Sequence, residues 1–379
     1  DPKYAAAYDY LGACYLSKGD SNRALANFTK AIEFDPKDIS AWSGRAGVYL
    51  AMGDYEHALA DLNEEVRIDP KPAGAYRNIG ATYSRMGDYD RSIKAYSDAI
   101  RIDPKDIVAY LYRGTSYQKK GDYDNAMLDF SEAIKLNPKN SDGYYGRGTA
   151  YAHKGDNDVA LLDFNKALTL NPEDADIYYN RGLTYENKND HVRAIEDFTQ
   201  AIKRDPKAAD YFLNRGMAYG NNGDIDHAVE DFNETIRLDP ENVRGYYSRG
   251  TAYGIKGDQV RLLADYKKAA ELDPRSPSTL IGVAWILATS PDSTLHNGKE
   301  AVEYALKACN LDEYKTPYMI DILATAYAEA GNFEAAKQME QKAIDSETDE
   351  SQQKNMQMRR ALFNQNKPFH QPTPPASHP

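Results

Sequence analysis

The sequence predicts an all-α protein, a solenoid of antiparallel helix hairpins built from one regular sequence repeat. First, Asp or Asn followed by Pro recurs at a constant interval of 34, at residues 1, 35, 69, 103, 137, 171, 205, 239 and 273. Second, apolar and small residues recur at helical spacing in two stretches of every repeat. Third, no alternating pattern typical of a β-strand competes with them. Each repeat is therefore predicted to be two helices joined by a short turn.

The first helix of each repeat is predicted from three recurring positions, counted so that the Asp–Pro or Asn–Pro proline is position 32. Position 4 is aromatic, position 8 is Gly or Ala, and position 11 is always Tyr. The position-11 residues are Tyr15, Tyr49, Tyr83, Tyr117, Tyr151, Tyr185, Tyr219 and Tyr253. Position 15 is Gly in seven repeats and Asn189 in the sixth, which predicts a left-handed residue at the helix end.

The second helix is predicted from positions 20, 24 and 27, for example Ala126, Phe130 and Ala133. An Asp at position 16, such as Asp122, is expected to cap its N-terminus. Asp or Asn at position 31 is expected to cap the next first helix, with the proline in that helix's first turn. Small residues at positions 8 and 20 would let the two helices of a hairpin approach closely.

This pattern of aromatic, small, Tyr, Ala, aromatic, Ala and Pro residues resembles the tetratricopeptide repeat over nearly the whole chain. The resemblance implies a right-handed superhelix of hairpins whose concave groove is lined by the first helices. It also implies a protein–protein interaction role.

The repeat pattern divides the chain into five predicted segments. Residues 1–274 hold eight regular repeats, and 275–313 form a divergent ninth repeat. Its turn is longer, because the interval from Ala284 to Ala301 exceeds the one between the same positions of a regular repeat, such as Gly114 and Ala126. Residues 314–348 form a tenth repeat, 349–365 a capping helix and 366–379 a disordered Pro-rich tail. The first repeat has no such cap, so we expect upstream sequence.

Composition and charge exclude several classes of partner. The net charge is −12 and the pI about 5.2, so no basic surface is expected to bind a nucleic acid. No apolar run approaches the ~20 residues of a membrane span, so no membrane insertion is expected. The chain is expected to be soluble, in a compartment that the sequence does not specify.

Six repeats carry Arg at position 7, in the apolar stripe of the first helix. The same six repeats carry Asp at position 23 on the second helix, and the other repeats have neither. The predicted structural pairs are Arg45 with Asp61, Arg113 with Asp129, Arg147 with Asp163, Arg181 with Asp197, Arg215 with Asp231 and Arg249 with Asp265. A bidentate ion pair inside each hairpin is the favoured interpretation. The alternative is an arginine ladder that binds an acidic ligand.

A second stripe on the first helix, positions 2, 5, 9 and 12 with 6 and 13 beside it, is predicted to face the groove. The candidate peptide-binding residues are Arg77, Asn78, Leu111, Lys119, Tyr145, Tyr179, Asn180, Leu183, Leu213, Asn214, Met217 and Tyr247. Tyrosines offer contact area, and asparagines can bond an extended backbone. The alternative for the tyrosines is packing between adjacent first helices, and for the charged residues an ordinary solvated surface.

No pattern predicts catalysis, a metal or a cofactor. The seven histidines are scattered, and no motif typical of zinc, nucleotide or nucleophile chemistry occurs. The chain is therefore predicted not to be an enzyme.

The leading functional hypothesis is a scaffold that binds an extended peptide or a partner helix in its groove. One alternative is a non-catalytic arm that positions a substrate or partner for a larger enzyme or signalling protein. Another is end-to-end self-association through exposed terminal repeats.

Overall fold

The computed structural model describes residues 2–69 and 73–372, with side chains from residue 4 onward. Within these ranges every regular element is a helix, which confirms the prediction of an all-α chain. The chain divides into two compact units, Asp1–Lys188 and Asn189–Pro379. The division falls inside the sixth repeat, at Asn189, and coincides with no predicted segment boundary.

Unit 1 stacks the hairpins of repeats 1 to 5 and the first helix of repeat 6. Its helices are α1 (Pro2–Ser17), α2 (Ser21–Phe34), α3 (Ile39–Met52), α4 (Tyr55–Ile68), α5 (Ala73–Arg85), α6 (Tyr89–Ile102), α7 (Ile107–Lys120), α8 (Tyr123–Leu136), α9 (Ser141–Lys154), α10 (Asn157–Leu170) and α11 (Ala175–Asn187). Each helix packs on the next, and α1, α5, α7 and α9 also contact the following first helix.

Unit 2 continues the same alternation and adds the irregular C-terminal elements. Its helices are α12 (His191–Arg204), α13 (Ala209–Asn221), α14 (Ile225–Leu238), α15 (Val243–Ile255), α16 (Gln259–Leu272), α17 (Pro277–Thr289), α18 (Gly298–Leu311), α19 (Pro317–Glu329), α20 (Phe333–Ser346) and α21 (Glu350–Asn364). A short 3-10 helix, Ser293–Leu295, lies in the lengthened turn between α17 and α18.

Position 24 of the second helix is aromatic in every regular repeat except the second, which has Leu62, and a ring at this position can pass between two first helices. The ring of Phe130 lies against Gly114 of its own repeat and Gly146 of the next. A Cβ atom at these glycines would come within 3.0 and 2.5 Å of the ring, respectively. The close packing of interiors leaves no room for that methyl group, so glycine is required where the ring passes between the helices.

The turn within each regular hairpin follows the predicted left-handed geometry. The position-15 glycines have φ between 76° and 86°, and Asn189 has φ 58°. Asp20, Asp54, Asp88, Asp122, Asp190, Asp224 and Asp258 then cap the second helices, each accepting a hydrogen bond from a backbone N–H of the first turn.

The prediction that the Asp–Pro pair caps the next first helix is wrong. Asp35 ends α2 in an extended conformation, and its carboxylate accepts a hydrogen bond from the N–H of Lys37 at 3.0 Å. Helix α3 begins after Asp38, whose side chain accepts from the N–H of Ala41. An Asp before a proline bonds the backbone two residues on, so the pair forms a turn that precedes the helix.

The C-terminal segment packs on unit 2. Helix α21 is tied to α19 by Arg359, whose Nε and Nη2 donate to the two carboxylate oxygens of Asp321 at 2.7 Å each. Beyond α21, the N–H of Gln371 donates to the carbonyl of Thr289 at 2.8 Å. Residues 366–372 therefore differ from the disorder expected of them, while 373–379 lie outside the described ranges.

No described helix combines the length and apolar character that crossing a membrane requires.

Candidate functional site

The position-7 arginines form bidentate pairs inside their hairpins. In unit 1, Nε and Nη2 of Arg113 donate to Oδ2 and Oδ1 of Asp129 at 2.8 and 2.6 Å. Arg45–Asp61 and Arg147–Asp163 repeat this geometry in unit 1, and Arg215–Asp231 and Arg249–Asp265 repeat it in unit 2. Arg181 and Asp197 belong to different units, so their pairing stays a prediction.

The third guanidinium nitrogen of each arginine bonds a residue of the preceding repeat. Nη1 of Arg113 donates to Oγ of Ser97 at 2.9 Å, and Nη1 of Arg215 donates to Oγ1 of Thr199 at 3.0 Å. Thr29, Ser131, Asn165 and Asn233 accept from the other arginines in the same way. A Ser, Thr or Asn at position 25 precedes every such arginine, a signal that the sequence analysis missed.

Burial governs the electrostatics of these pairs. It raises the pKa of Asp129 and Asp231 above the usual range even though each accepts two charge-assisted hydrogen bonds. Desolvation thus opposes the electrostatic attraction in these two pairs, as is common for buried ion pairs. With three nitrogens bonded, the guanidinium has little capacity left for an acidic ligand.

In unit 1 the candidate groove residues partly satisfy one another. Nδ2 of Asn180 donates to the phenol oxygen of Tyr145 at 2.9 Å, which joins two adjacent first helices. Burial raises the pKa of Tyr145 to about 12. Nη1 of Arg77 contacts Oδ1 of Asp106 at 3.3 Å. These contacts match the packing alternative more closely than an open binding surface.

The other unit 1 candidates vary in exposure. Asn78 and Lys119 are exposed, and Leu111, Tyr179 and Leu183 are half-buried.

Leu213 is not a groove residue, which corrects the sequence prediction. Its side chain is fully buried in unit 2 and packs in a cluster with Ala228, Phe232 and Ala252. Ala252 belongs to the following hairpin and Phe232 to the same one, so Leu213 is enclosed by both and offers no surface to a ligand.

The other unit 2 candidates lie on or near an open surface. Nδ2 of Asn214 donates to the carbonyl of Asp210 in its own helix. Met217 and Tyr247 are each 38% exposed and line a cavity of about 260 Å³. Tyr247 also stacks on Tyr266, with ring centroids 4.7 Å apart.

A larger cleft of about 490 Å³ shares Tyr247 and is walled by aromatic rings. Tyr266, Trp285 and Tyr318 form the other walls, and none of the lining side chains is charged. Trp285 stands at position 9 of repeat 9 and Ser278 and Ile281 at positions 2 and 5, so the predicted groove stripe does line this cleft.

The sequence analysis missed Tyr266 because position 24 is a core position in the other repeats. Glycines let its ring pass between α15 and α17, since a Cβ at Gly250 or Gly282 would lie 2.8 or 2.9 Å from it. Its phenol oxygen then lies 2.9 Å from Oγ1 of Thr251 at the cleft. A tyrosine at position 24 was not a sufficient signal, because Tyr96 stands at the same position of the third repeat and is buried.

The C-terminal tail borders the same cleft. The ring of Phe369 lies 6.0 Å from that of Trp285, and Gln371 lines the cleft. A stretch of this chain without regular secondary structure thus already contacts α17, through Trp285 and Thr289.

His296, Glu329 and His370 form a separate cluster beside the tail, with side-chain nitrogen and oxygen atoms within 4.8 Å of one another. Neither His296 nor His370 was a candidate in the sequence analysis. They stand outside the repeat positions, and only the fold brings them together.

Four models, each described as a tetratricopeptide repeat, match this chain. The matches cover residues 5–38, 39–72, 73–106, 111–175, 145–209 and 209–242. No curated protein matches the chain.

Solved structures add a likeness of fold. A tetratricopeptide repeat protein from Parabacteroides merdae has a TM-score of 0.55 at 17% identity, covering 66% of this chain and 99% of that chain. The MamA protein has 27% identity and a TM-score of 0.40, covering 45% of this chain and 94% of its own. YrrB, described as having an unusual peptide-binding site, has 23% identity and a TM-score of 0.41, covering 50% and 97%. Only the first of these likenesses supports the fold.

Proposed function

Because the chain belongs to the tetratricopeptide repeat family, we propose that it is a protein-interaction scaffold that binds an extended peptide in the aromatic cleft of unit 2. The family typically serves as a non-catalytic interaction module, which supports the general role. The peptide and its place on the molecule are the parts that require a test.

The observation that carries the proposal is the composition of the cleft. Tyr247, Tyr266, Trp285 and Tyr318 surround about 490 Å³ without a charged neighbour in the lining. Ligand sites commonly have ~300–1,000 Å³ with mostly apolar walls and a few polar groups. This cleft therefore favours an apolar or aromatic side chain, and the hydroxyl of Thr251, which already bonds Tyr247 and Tyr266, adds a polar group to its lining.

The tail supports an extended ligand in particular. Pro368, Phe369 and Pro372 are the kind of residues that dock on aromatic-lined grooves in an extended conformation. Gln371 adds a backbone hydrogen bond to Thr289. A partner peptide with a similar mixture of proline and aromatic residues would meet the same chemistry.

We propose selection from a displayed random-peptide library to test this function. Peptides selected by the wild type should bind Tyr318→Ala at least about tenfold more weakly, because aromatic anchors in a cleft contribute more than ~1 kcal/mol. Tyr10→Ala is the matched control, since Tyr10 is 72% exposed and distant in sequence from the cleft.

Two results would contradict the site. Selected peptides that bind Tyr318→Ala and the wild type equally would exclude the cleft. Peptides that instead lose binding to Tyr179→Ala would place recognition in unit 1.

The alternative, an arm that positions a partner for a larger enzyme or signalling protein, uses the same cleft. It differs in what else is joined to this chain, which the full-length gene product would reveal. End-to-end self-association stays a separate prediction, and light scattering tests it.

A further inference from the structure

Three irregular elements of unit 2 converge on one point. His296 follows the 3-10 helix in the lengthened turn, Glu329 is the last residue of α19, and His370 belongs to the tail. Nδ1 of His296 lies 3.3 Å from Oε1 of Glu329, and Nε2 of His370 lies 2.8 Å from Oε2.

The hydrogen bond of His296 determines which of its nitrogens is available. Nε2 lies 2.7 Å from the carbonyl oxygen of Ser290. A carbonyl only accepts, so Nε2 carries a proton, and Nδ1 is the nitrogen that a metal ion could bind in place of a proton. Metal-bound imidazoles are oriented in this way, with the second ring nitrogen donating to a carbonyl or carboxylate.

We propose that His296, Glu329 and His370 bind one divalent transition-metal ion, with Zn²⁺ as the best fit, and that the ion clasps the tail onto unit 2. Two imidazoles and a carboxylate are a typical zinc ligand set. Zinc–ligand bonds of ~2.0–2.2 Å in a tetrahedral arrangement place ligand atoms roughly 3.3 Å apart. The ligand atoms of the three residues lie within 4.8 Å of one another, and the two histidine nitrogens lie 3.3 and 2.8 Å from the two oxygens of Glu329, so a small closing movement would bring them to that spacing.

The surroundings suit an ion that enters from solvent. The side chains of His296 and Glu329 are 14% and 13% exposed, which holds them in place, whereas that of His370 is 41% exposed. The tail can adjust His370 by the small movement that bonding requires. The open side leaves the fourth position to water.

A bound ion would hold the tail at His370, between two contacts that the tail already makes. Phe369 packs toward Trp285, and Gln371 bonds Thr289. The metal would add a third attachment between them, to the lengthened turn and to α19. Metal binding itself does not depend on the peptide role proposed above.

The test is zinc binding by the full chain after treatment with a chelator. Equilibrium dialysis against Zn²⁺ should show one ion per chain for the wild type. His370→Ala and Glu329→Gln should each weaken binding by at least ~10–100-fold, the range already seen when only a supporting partner is lost. Two control variants should bind zinc as the wild type does. They are His378→Ala, which removes the other histidine of the tail, and His57→Ala, which removes a histidine whose Nδ1 contacts Asp54.

A second measurement tests whether bound zinc holds the tail against Trp285. In a Trp42→Phe background, Zn²⁺ should change the fluorescence of Trp285, and His370→Ala should abolish that change. Since His370 lies outside every helix, circular dichroism should show the variant folded. No stoichiometric zinc in the wild type, or equal affinity in His370→Ala, would overturn the metal site. Stoichiometric zinc with no change in Trp285 would overturn the clasp.

Discussion

The guanidinium of a position-7 arginine, which extends from the first helix, bonds the second helix of its own hairpin and the hairpin before it. Arg113 bonds both oxygens of Asp129 and the hydroxyl of Ser97. A buried charge is tolerated only with such full pairing, and the planar fork of Arg provides it where Lys would not. Each arginine therefore acts as a register pin between successive repeats.

Removing one partner of such a pair should be costly. We expect Asp129→Ala to lower the free energy of unfolding of unit 1 by ~3–5 kcal/mol, because the arginine loses its carboxylate while it stays part-buried. Denaturant unfolding measures it. Asp124→Ala, which removes an exposed ion pair with Lys154, should change stability little. Equal effects of the two substitutions would contradict the pin.

The carboxyl groups of Glu340 and Asp321 are both buried, and both lie near Arg359 of the capping helix α21. Arg359 bonds both oxygens of Asp321, whereas both oxygens of Glu340 lack a hydrogen-bond partner and its side chain is inaccessible. Burial, together with the nearby Asp321, strongly raises the pKa of Glu340. We therefore place a proton on Glu340 in the folded state.

That proton makes stability depend on pH. A carboxyl with a raised folded pKa favours the folded state fully below its ordinary pKa of about 4.5, and this contribution is lost as pH rises toward the folded pKa. Glu340→Gln should flatten the fall in unfolding free energy between acidic and alkaline pH. Glu334→Gln, on the exposed face of the same helix, should leave the pH profile unchanged. A pH profile unaltered by Glu340→Gln would contradict the assignment.

At the scale of elements, the hairpins pack through rings that pass between helices. Phe28 lies between Gly12 and Gly44 in unit 1, as Tyr266 lies between Gly250 and Gly282 in unit 2. The same device builds the core in one case and a cleft wall in the other. The difference is the phenol oxygen of Tyr266, which reaches the surface beside Thr251.

Alanine substitutions at two glycines of α3 distinguish the effect of side-chain packing on stability from the effect of helix propensity. A Cβ at Gly44 would lie 2.4 Å from the Phe28 ring. A Cβ at Gly47 would have no packed side chain within 4 Å. Gly44→Ala should therefore destabilise unit 1 by ~1–3 kcal/mol. Gly47→Ala should stabilise it by ~0.5–1 kcal/mol, because Ala favours the helix. Thermal unfolding distinguishes the two variants. Unfolding temperatures that shift in the same direction would contradict the close packing of the Phe28 ring against Gly44.

For the molecule as a whole, both candidate sites border the irregular C-terminal elements. The tail lies against Trp285, and the lengthened turn supplies His296 beside it. Both depart from the repeat that builds the rest of the chain. The candidate cleft and the candidate metal site are thus products of the end of the solenoid.

Deleting residues 366–379 should expose Trp285, because Phe369 and Gln371 no longer cover it. In the Trp42→Phe background, quenching of Trp285 fluorescence by acrylamide should increase on deletion. Unchanged quenching would show that the tail does not cover this face in solution.

The regular sequence repeat was sufficient to predict the helices, their order and the glycine turns, because these depend on short-range spacing and backbone preference. It also predicted the Arg–Asp partners, since a duplicated contact leaves a duplicated pair of residues, although Arg181 with Asp197 stays a prediction.

Only the tertiary structure decided which side chains meet outside that periodicity. It buried Leu213, joined Asn180 to Tyr145, brought Tyr266 to the cleft, and assembled His296, Glu329 and His370. The physical reason is that a helix's rotation and the path of an irregular segment follow from close packing over the whole hairpin stack. No local pattern of residues records that packing.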